Sequence, residues 1–491
     1  MDMIPNIPLE SLRDEPIYKK RICVIGAGAS GLAALKVISQ SDFYKTGQWS
    51  VVAFENRTNV GGVWFPAAPT DNPPLTPLYD SLTTNLPHPV MAYTSYSFPP
   101  STSLFPNAAI VQEYIESYAA HFDLLPLIRL NTAVIAARWE TSIWSITLST
   151  GESMSFDHIV VANGHYRLPR IPDTPGLSEW ILSGKASHSA WYRHPDNFGD
   201  VVLVVGGGPS GKDISADMSS VSKAVIHSVT GTSPEDVGNL KRRPRVVEYR
   251  SNGEVVFEDG SMEHGIDHCI LATGYQMDFP FFDESVIRTE IPPPSPPLPR
   301  DLYNSTYHIF PLARHVFPLQ NNYPTSSLAF MGLLFRVAPM PLVEAQAHAI
   351  VRVFSDPSCL DGTQEAVDII TRSETLQAQG AHSALQLAKA WFRFEEHEQF
   401  DYRDEMYKFA ARPGSNGEII LVPDWEKEMY HEKDKLRVAW RKLEQSGEAE
   451  KWVAGVGKGG TQEWVEMMRE LLKWADQNDR DQVAASSSSR L

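Results

Sequence analysis

Two glycine-rich turns, 180 residues apart in the chain, each follow a run of mainly aliphatic residues. The first is Gly26-Ala27-Gly28-Ala29-Ser30-Gly31, after Arg21 to Ile25, and the second is Gly206-Gly207-Gly208-Pro209-Ser210-Gly211, after Val201 to Val205. A strand, a GxGxxG turn and a helix together bring free N–H groups of the helix N-terminus against a pyrophosphate. A single copy is often an ordinary glycine turn. Two copies predict an α/β chain with two Rossmann-like dinucleotide-binding domains.

The residues after each turn distinguish the two sites. After the first turn, the apolar run Trp49 to Phe54 ends at Glu55, where a carboxylate can accept a hydrogen bond from a ribose hydroxyl. After the second turn, Ala224-Val225-Ile226 leads into His227-Ser228-Val229-Thr230 without an acid. An acid there would repel a 2′-phosphate. The sequence therefore predicts FAD at the first turn and NADPH at the second.

Composition excludes several other classes of protein. The 491 residues, 42% of them hydrophobic, are enough for two or three domains. A net charge of −17 argues against nucleic acid as a partner, because phosphate binding needs a basic face. The three cysteines are Cys23, Cys269 and Cys359, far apart in sequence. Their spacing counts against a metal site, a disulfide framework and a redox-active dithiol.

The sequence also bears on localisation. Met1 to Glu15 lacks the apolar core of a signal peptide, and the longest apolar stretch, Leu328 to Leu342, is too short to span a bilayer. That stretch is predicted to be a strand and turn leading into a helix, and a soluble, cytoplasmic protein is expected. Ser489-Arg490-Leu491 is close to the peroxisomal Ser-Lys-Leu address. Peroxisomal targeting and a chance ending both stay open.

Proline-rich segments indicate the domain boundaries. Pro66 to Pro77 predicts an irregular excursion, Arg167 to Gly176 a crossing into a second domain, and Glu290 to Arg300 the return. The predicted organisation is an FAD domain (1–170 and 291–491, ending in C-terminal helices) with an NADPH domain (171–290) inserted into it. Two further strands end in glycine turns, at Asn163-Gly164 and Thr273-Gly274, where the backbone can approach a cofactor.

From Arg21 to about Phe354, a series of motifs in consistent order resembles the flavin-containing monooxygenases, especially the shorter soluble fungal type. Besides the two turns, the motifs are Gly61-Gly62-Val63-Trp64, Tyr79-Asp80-Ser81-Leu82-Thr83-Thr84-Asn85-Leu86-Pro87, Asn163-Gly164-His165-Tyr166, Ala272-Thr273-Gly274-Tyr275 and Met340-Pro341-Leu342-Val343-Glu344-Ala345-Gln346-Ala347. Several motifs in order are far more specific than any one of them.

The family's FxGxxxHxxx(Y/F) signature is matched by Gly184, His188 and Tyr192, with Leu182 in place of the usual phenylalanine. Baeyer-Villiger relatives carry tryptophan where this chain has Tyr192. The resemblance implies that the motif supports the linker between the domains and the placement of NADPH. His188 is accordingly expected to be a hydrogen-bonded structural histidine rather than a general base.

The resemblance also implies a reaction. Hydride passes from NADPH to the flavin, the reduced flavin adds oxygen at C4a, and the resulting hydroperoxide gives one oxygen atom to an amine nitrogen or a sulfide of a small molecule. Asn85 is the expected catalytic side chain, lying by the flavin and the nicotinamide; the alternative is a turn asparagine before Leu86-Pro87. Other activities left open are Baeyer-Villiger oxygenation of a ketone, an NADPH oxidase or flavin reductase, and a scaffold that binds cofactor without catalysis.

The turns and the resemblance together predict one set of cofactor contacts and no metal site. The set is Gly26, Gly28, Ala29, Ser30, Gly31, Glu55, Arg57, Gly62, Val63, Trp64, Thr84, Asn85, Leu86, Asn163, Gly164, Ser187, His188, Tyr192, Gly206, Gly208, Pro209, Ser210, Gly211, Ser228, Thr273, Gly274 and Tyr275.

The remaining segments carry weaker signals. Lys241-Arg242-Arg243-Pro244-Arg245 is interpreted as a solvated loop rather than a 2′-phosphate site. Helical spacing over Ala384 to His397, Asp424 to Glu444 and Thr461 to Ala475 predicts helices packed on the FAD domain. A substrate-pocket wall or a homodimer interface are the alternatives for these helices.

Overall fold

The computed structural model describes residues 19–411 and 419–488. The expectations for Met1 to Glu15 and for Ser489-Arg490-Leu491 lie outside these residues.

Strands and helices alternate through the first two thirds of the chain, and helices dominate the last third. The strands of the described residues are β1 Lys20–Ile25, β2 Trp49–Phe54, β3 Ile128–Arg129, β4 Val134–Glu140, β5 Ile143–Leu148, β6 Ser153–Phe156, β7 His158–Val161, β8 Leu168–Pro169, β9 Ala186–His188, β10 Val201–Val205, β11 Ala224–Ser228, β12 Glu235–Val237, β13 Leu240–Arg243, β14 Val246–Tyr249, β15 Val255–Phe257, β16 Met262–Glu263, β17 His268–Leu271, β18 Tyr275–Gln276, β19 Tyr303–Asn304, β20 Ile309–Phe310, β21 Leu312–Ala313, β22 Phe317–Pro318 and β23 Leu328–Phe330. The α-helices are α1 Ala29–Gln40, α2 Asp42–Lys45, α3 His88–Met91, α4 Ala108–His121, α5 Leu177–Leu182, α6 Pro209–Ser219, α7 Pro339–Ser355, α8 Gly362–Ala378, α9 Ala384–Ala390, α10 Glu398–Ala410, α11 Asp424–His431, α12 Lys433–Ser446, α13 Ala449–Val453 and α14 Thr461–Ser488.

The first sheet has five parallel strands in the order β23-β7-β1-β2-β3. Its central strand β1 is covered on both faces, and Ile22, Cys23 and Val24 are fully buried. A continuous aliphatic run is what a parallel strand between two layers requires. The turn after β1 enters α1, which packs against α7. The two helices are joined by the buried ion pair between Lys36 and Glu344 (2.9 Å), which lie 308 residues apart in the chain.

The second sheet has six strands in the order β12-β13-β11-β10-β17-β9. All of its pairs are parallel except β12 with β13. The second glycine turn joins β10 to α6, repeating the arrangement of the first turn. Both halves of the strand–turn–helix prediction therefore hold, and the α/β fold with two Rossmann-like sheets is confirmed.

The second sheet is inserted into the first, because β7 precedes it in the chain and β23 follows it in the same first sheet. The outgoing and returning segments pair with each other as the antiparallel strands β8 and β18. The limits 170 and 290 remain a proposal. Packing favours an earlier return to the first domain, since Met277, Phe279 and Phe281 belong to the core of the first sheet.

Two sequence expectations for helices are wrong in part. The helix begun at Ala384 ends at Ala390, because Phe335 exchanges backbone hydrogen bonds with Phe392 (2.7 Å) and Phe394 (3.3 Å) and draws the chain into an extended segment. The stretch Asp424 to Glu444 is two helices that meet at Glu432, since α11 packs on α3 and α12 packs on α14. The strand at Leu328–Phe330 and the helix at Pro339–Ser355 match the expectation for that stretch.

The interpretation of Lys241 to Arg245 as a solvated loop is also wrong. Residues 241–243 lie in β13, and their side chains are paired with acids of the same domain. Glu263 accepts from Lys241 (3.0 Å) and Arg243 (2.6 Å), and Arg243 also pairs with Asp236 (2.6 Å). The acids lie up to 22 residues away from these bases in sequence, so the charge run by itself did not reveal the strand.

Candidate active site

The first glycine turn has the geometry that a dinucleotide loop requires. Gly26 has φ +98°, and a Cβ there would lie 2.6 Å from the Ala162 carbonyl oxygen. A Cβ on Gly31 would lie 2.0 Å from the Gly26 oxygen, so the helix can start this close to the strand only with glycine. Gly28 is the N-cap of α1, and no side chain caps that helix. The N–H groups of Ala29 and Ser30 therefore stay available for an anion.

Glu55 lies at the end of β2, as predicted, and is buried. Its two carboxylate oxygens accept hydrogen bonds from the backbone N–H groups of Ala27 (2.8 Å) and Arg57 (2.9 Å). The carboxylate thus holds the glycine turn directly. Each oxygen keeps a second lone pair with which it can accept from a ribose hydroxyl.

The Gly62-Val63-Trp64 segment closes over the first turn. It forms a 3₁₀ turn in which a Cβ on Gly62 would lie 2.9 Å from the Gly28 Cα. Arg57 donates to the carbonyl oxygens of Gly62 (3.0 Å) and Phe65 (2.6 Å), and burial lowers its pKa. Arg57 accordingly anchors this segment, while direct contact with a cofactor stays a prediction.

Asn85 is exposed, whereas its two neighbours in the chain are buried. Thr84 is buried and donates its hydroxyl to the Leu86 carbonyl oxygen (2.8 Å), and Leu86 packs into the core. Asn85 between them is exposed, and within the described residues no hydrogen bond reaches its side-chain amide. The turn holds its backbone through Thr84 and leaves the amide free for a bound group.

The second turn repeats the first residue by residue. Gly206 has φ +127°, with a would-be Cβ 2.2 Å from the Ala272 oxygen, and a Cβ on Gly211 would lie 1.9 Å from the Gly206 oxygen. Gly208 has an ordinary φ of −73° and is the N-cap of α6, again without a side-chain cap. A Cβ on Gly208 would meet nothing within 4 Å, so the space beside it is open. Pro209 and Ser210 open the helix.

The two further glycine loops lie against the two turns. Asn163 follows Ala162 and lies beside Gly26, and Thr273 follows Ala272 beside Gly206. Gly164 (φ +73°) and Gly274 (φ +80°) both have open space where a Cβ would stand. Sequence reasoning placed both loops at the carboxyl edge of a sheet, and the structure brings each one to a glycine turn.

His188 connects its motif, Gly184 to Tyr192, to the glycine loop at Gly274 through a hydrogen bond. Its Nδ1 accepts from the Ala190 N–H (3.1 Å), which leaves the proton on Nε2 to donate to the Gly274 carbonyl oxygen (3.0 Å). Burial lowers the pKa of His188 to about 4, so the ring is neutral at pH 7. The expected structural role fits this geometry. The same Gly274 oxygen also accepts from the Arg170 N–H (2.9 Å).

Four other predicted contacts are engaged with the protein itself. Ser228 is buried and donates to the Pro244 oxygen (2.8 Å), and Ser187 hydrogen-bonds the His268 Nε2 (2.7 Å). Tyr192 is buried and donates to Asp217 (3.1 Å). Tyr275 pairs with Pro169 in the β8–β18 ribbon, and burial raises its pKa to about 12. Contact of any of these side chains with NADPH stays a prediction.

Sequence reasoning gave no role to several residues that shape the site. Gln112 donates to the Val60 oxygen (2.8 Å), and its side chain occupies the place where a Cβ on Gly61 would stand. Gln346 accepts from the Gly332 N–H (3.0 Å), and Gly332 lies beside Ser30. Gln346 falls within the motif Met340 to Ala347, and its place in that motif was the one sequence feature that could have indicated its role.

The residues present fit two dinucleotides. Among the described residues no side chain caps the helix that begins at either glycine turn, and a Cβ on the first or last glycine of either turn would lie within 2.6 Å of a backbone oxygen. Glu55 stands at the first site. Among the described residues, no three His, Cys, Asp or Glu side chains cluster in a way that could hold a metal ion.

Comparison with known proteins identifies the family. A family model described as FMO-like, flavin-binding monooxygenase-like, matches residues 19–234 and 236–413. The chain belongs to this family. The resemblance stated from the motifs is confirmed, and so is its flavin cofactor, FAD. NADPH as the reductant stays a prediction.

Among similar proteins, this flavin-binding monooxygenase-like chain is 30% identical to the flavin-containing monooxygenase FMO GS-OX5 of Arabidopsis thaliana, over 71% of this chain and 77% of the relative. It is 32% identical to the thiol-specific monooxygenase of Saccharomyces cerevisiae, over 68% and 77%. The structure of S-allyl-L-cysteine S-oxygenase from Allium sativum superposes with a TM-score of 0.72 at 25% identity, covering 93% of this chain and 99% of that one.

Across residues 19–411 and 419–488 of this flavin monooxygenase, none of the helices has both the length and the apolar character needed to cross a bilayer.

Proposed function

We propose that this flavin monooxygenase consumes NADPH and inserts one atom of O₂ into a soft nucleophile of a small molecule, at an amine nitrogen or a sulfide sulfur. The observation that carries the proposal is Asn85, whose amide is exposed and has no partner among the described residues, in the motif that matches the family. For a sulfide the balance is NADPH, H⁺, O₂ and R₂S giving NADP⁺, water and R₂S=O. No protein nucleophile takes part.

When bound, FAD supplies the redox chemistry by taking a hydride from NADPH and activating O₂ at its C4a carbon. The chain's own residues bind and orient the two cofactors. Glu55 accepts from the ribose, and the free N–H groups at the starts of α1 and α6 hold the two pyrophosphates. The Asn85 amide donates to the reacting oxygen without titrating, and the surrounding segments exclude water.

Sulfur is the favoured acceptor atom. Two of the similar proteins are named for sulfur chemistry, the yeast thiol-specific monooxygenase and the Allium S-oxygenase. Baeyer-Villiger oxygenation is the second candidate. Tyr192 argues against it, since those relatives carry tryptophan at this position.

The test measures oxygenated product and hydrogen peroxide per NADPH with a thioether, a tertiary amine and a cyclic ketone. Sulfoxide or N-oxide formed nearly one for one with NADPH supports the proposal. Lactone from the ketone alone would make the enzyme a Baeyer-Villiger monooxygenase. Peroxide equal to the NADPH consumed, with no oxygenated product from any substrate, would make it an oxidase. The same assay with NADH measures the nucleotide preference.

Cytoplasmic localisation is part of this proposal, and peroxisomal targeting by Ser489-Arg490-Leu491 is its alternative. Fluorescence microscopy of the protein tagged at its N-terminus, with and without the last three residues, separates the two. Light scattering of the purified protein tests the homodimer.

A further inference from the structure

The helix that follows the NADPH turn is held by two chain segments from outside its own domain. Asp213 and Asp217 lie four residues apart on α6 and so share one face. Tyr79 donates its hydroxyl to Asp213 (2.9 Å), and Ser81 donates to Asp217. Both donors belong to the segment that leads directly to Asn85.

Besides its hydrogen bond to Asp213, Tyr79 packs into the hydrophobic core of the second domain. Its ring is buried in a hydrophobic cluster with Val202, Val204 and Ile214 of that domain. It also meets the Tyr192 ring edge-on, at 5.8 Å between centroids. Burial and Asp213 raise the pKa of Tyr79, so its hydroxyl stays protonated and donates.

The C-terminal helix α12 reaches the same carboxylate from the other side. Arg437 pairs with Asp213 (3.3 Å), and Arg441 lies 3.6 Å from it. The Arg437 and Asp213 side chains are only 18% and 14% exposed. An ion pair this buried has a larger effect when one partner is removed than a surface pair does.

We propose that Asp213, with Tyr79 and Arg437, forms an interdomain latch that positions the NADPH-binding helix relative to the Asn85 segment. Its members are positioning residues, since they act through α6. The latch gives α12 a function in the hydride step, because a small misplacement of one reactant relative to the other is enough to slow transfer. This inference rests on the family's cofactors and is independent of which substrate atom is oxygenated.

Two conservative variants test the latch in the protein as isolated with its flavin. Tyr79→Phe keeps the ring in its cluster and removes the hydroxyl, and Arg437→Met keeps the aliphatic stem and removes the charge. The matched controls are Lys435→Met, which breaks a pair between α12 and Asp476 of α14 (2.6 Å), and Tyr96→Phe, which removes a hydroxyl contact to Ser117 in the first domain (2.9 Å).

The first readout is amide hydrogen exchange in residues 209–219, without NADPH. Both latch variants are expected to speed exchange there several-fold, and both controls to match the wild type. The second readout is the anaerobic rate of flavin reduction at saturating NADPH, per bound flavin. It is expected to fall on the order of tenfold, with KM for NADPH little changed because Tyr79, Asp213 and Arg437 lie outside the predicted set of cofactor contacts.

A general loss of folding would lower the flavin content and leave the rate per bound flavin unchanged, and that result would overturn the inference. Unchanged exchange in residues 209–219 of both latch variants would overturn it equally. The double variant adds a further check, since two residues acting through the one Asp213 carboxylate give effects that are less than additive. Additive effects on the reduction rate would count against a shared latch.

Discussion

Asn85 is exposed between two buried residues, and this contrast makes its role testable. Asn85→Ala removes the amide and leaves the Thr84 hydrogen bond and Leu86 packing that hold the turn. We expect hydrogen peroxide released per NADPH to rise several-fold, with the melting temperature unchanged. Thr83→Ala, two residues away and outside the predicted contact set, is the control. Unchanged coupling of NADPH use to product in Asn85→Ala would remove Asn85 from the chemistry.

His188 provides a second test at the residue scale. His188→Phe leaves the Ala190 N–H buried without an acceptor, which costs about 1–3 kcal/mol of unfolding free energy. Turnover per folded molecule should stay within a few-fold of wild type, whereas loss of a general base lowers it by about 10²–10⁴. Denaturant unfolding and the pH–rate profile measure the two effects, with exposed His264→Phe as control. A hundredfold loss of kcat would restore the general-base interpretation.

Glu55 and the glycines of the two turns could be predicted from the sequence because each occupies a fixed place in a strand–turn–helix pattern. Glu55 lies at the end of its strand, and the glycines of each turn contact one another. Tyr79 was readable only as part of a motif. Its insertion into the core of the other domain depends on residues more than 110 positions away, and one sequence carries no local signal of that contact.

At the scale of elements, glycine variants of the second turn can test nucleotide binding separately from folding. Gly208 has an ordinary φ and open space around it, so Gly208→Ala should change the unfolding free energy by no more than about 0.5 kcal/mol. Its methyl group would stand where the pyrophosphate is expected, and we expect KM for NADPH to rise about tenfold. Steady-state kinetics and denaturant unfolding measure both.

Gly211→Ala is the contrasting variant, because its Cβ would lie 1.9 Å from a backbone oxygen. We expect it to lose stability and NADPH-driven flavin reduction together, while flavin bound at the first turn is retained. A Gly208→Ala enzyme with unchanged KM would mean that the nucleotide does not approach this turn.

Strands and helices near the turns were predictable because aliphatic runs and glycine spacing define them locally. Elements farther from the turns were less predictable. The helical pattern beyond Ala390 is overruled by pairing of residues 392–394 with Phe335, and β13 depends on acids that a charge run does not reveal. In both places tertiary contacts override local propensity.

For the whole molecule, buried histidines predict acid sensitivity. Burial lowers the pKa values of His88, His158, His165, His188 and His308 from 6.5 to between about 3 and about 4. Between pH 6.5 and about pH 4 the unfolded chain binds protons that the folded chain does not. The contribution of these neutral rings to the unfolding free energy is therefore complete above about pH 6.5 and is lost as pH falls toward 4.

Urea unfolding at pH 7.5, 6.5 and 5.5 checks this expectation, since carboxylates of ordinary pKa stay ionised over that range. The midpoint should fall steadily below pH 6.5. His88→Phe should make the midpoint less dependent on pH, because it removes one group that takes up a proton on unfolding. A midpoint independent of pH across this range would show that the five rings titrate normally.

The β8–β18 ribbon makes the inserted domain a transferable cassette. Leu168–Pro169 lies alongside Tyr275–Gln276, so the chain enters and leaves the inserted NADPH-binding half through neighbouring points. A chimera that exchanges the segment between these strands for that of a relative needs only two adjacent junctions, and the central β7-β1-β2 strands of the flavin sheet stay untouched. Reductant preference and oxygenation chemistry can thus be recombined as separate modules, provided that the graft brings carboxylates equivalent to Asp213 and Asp217.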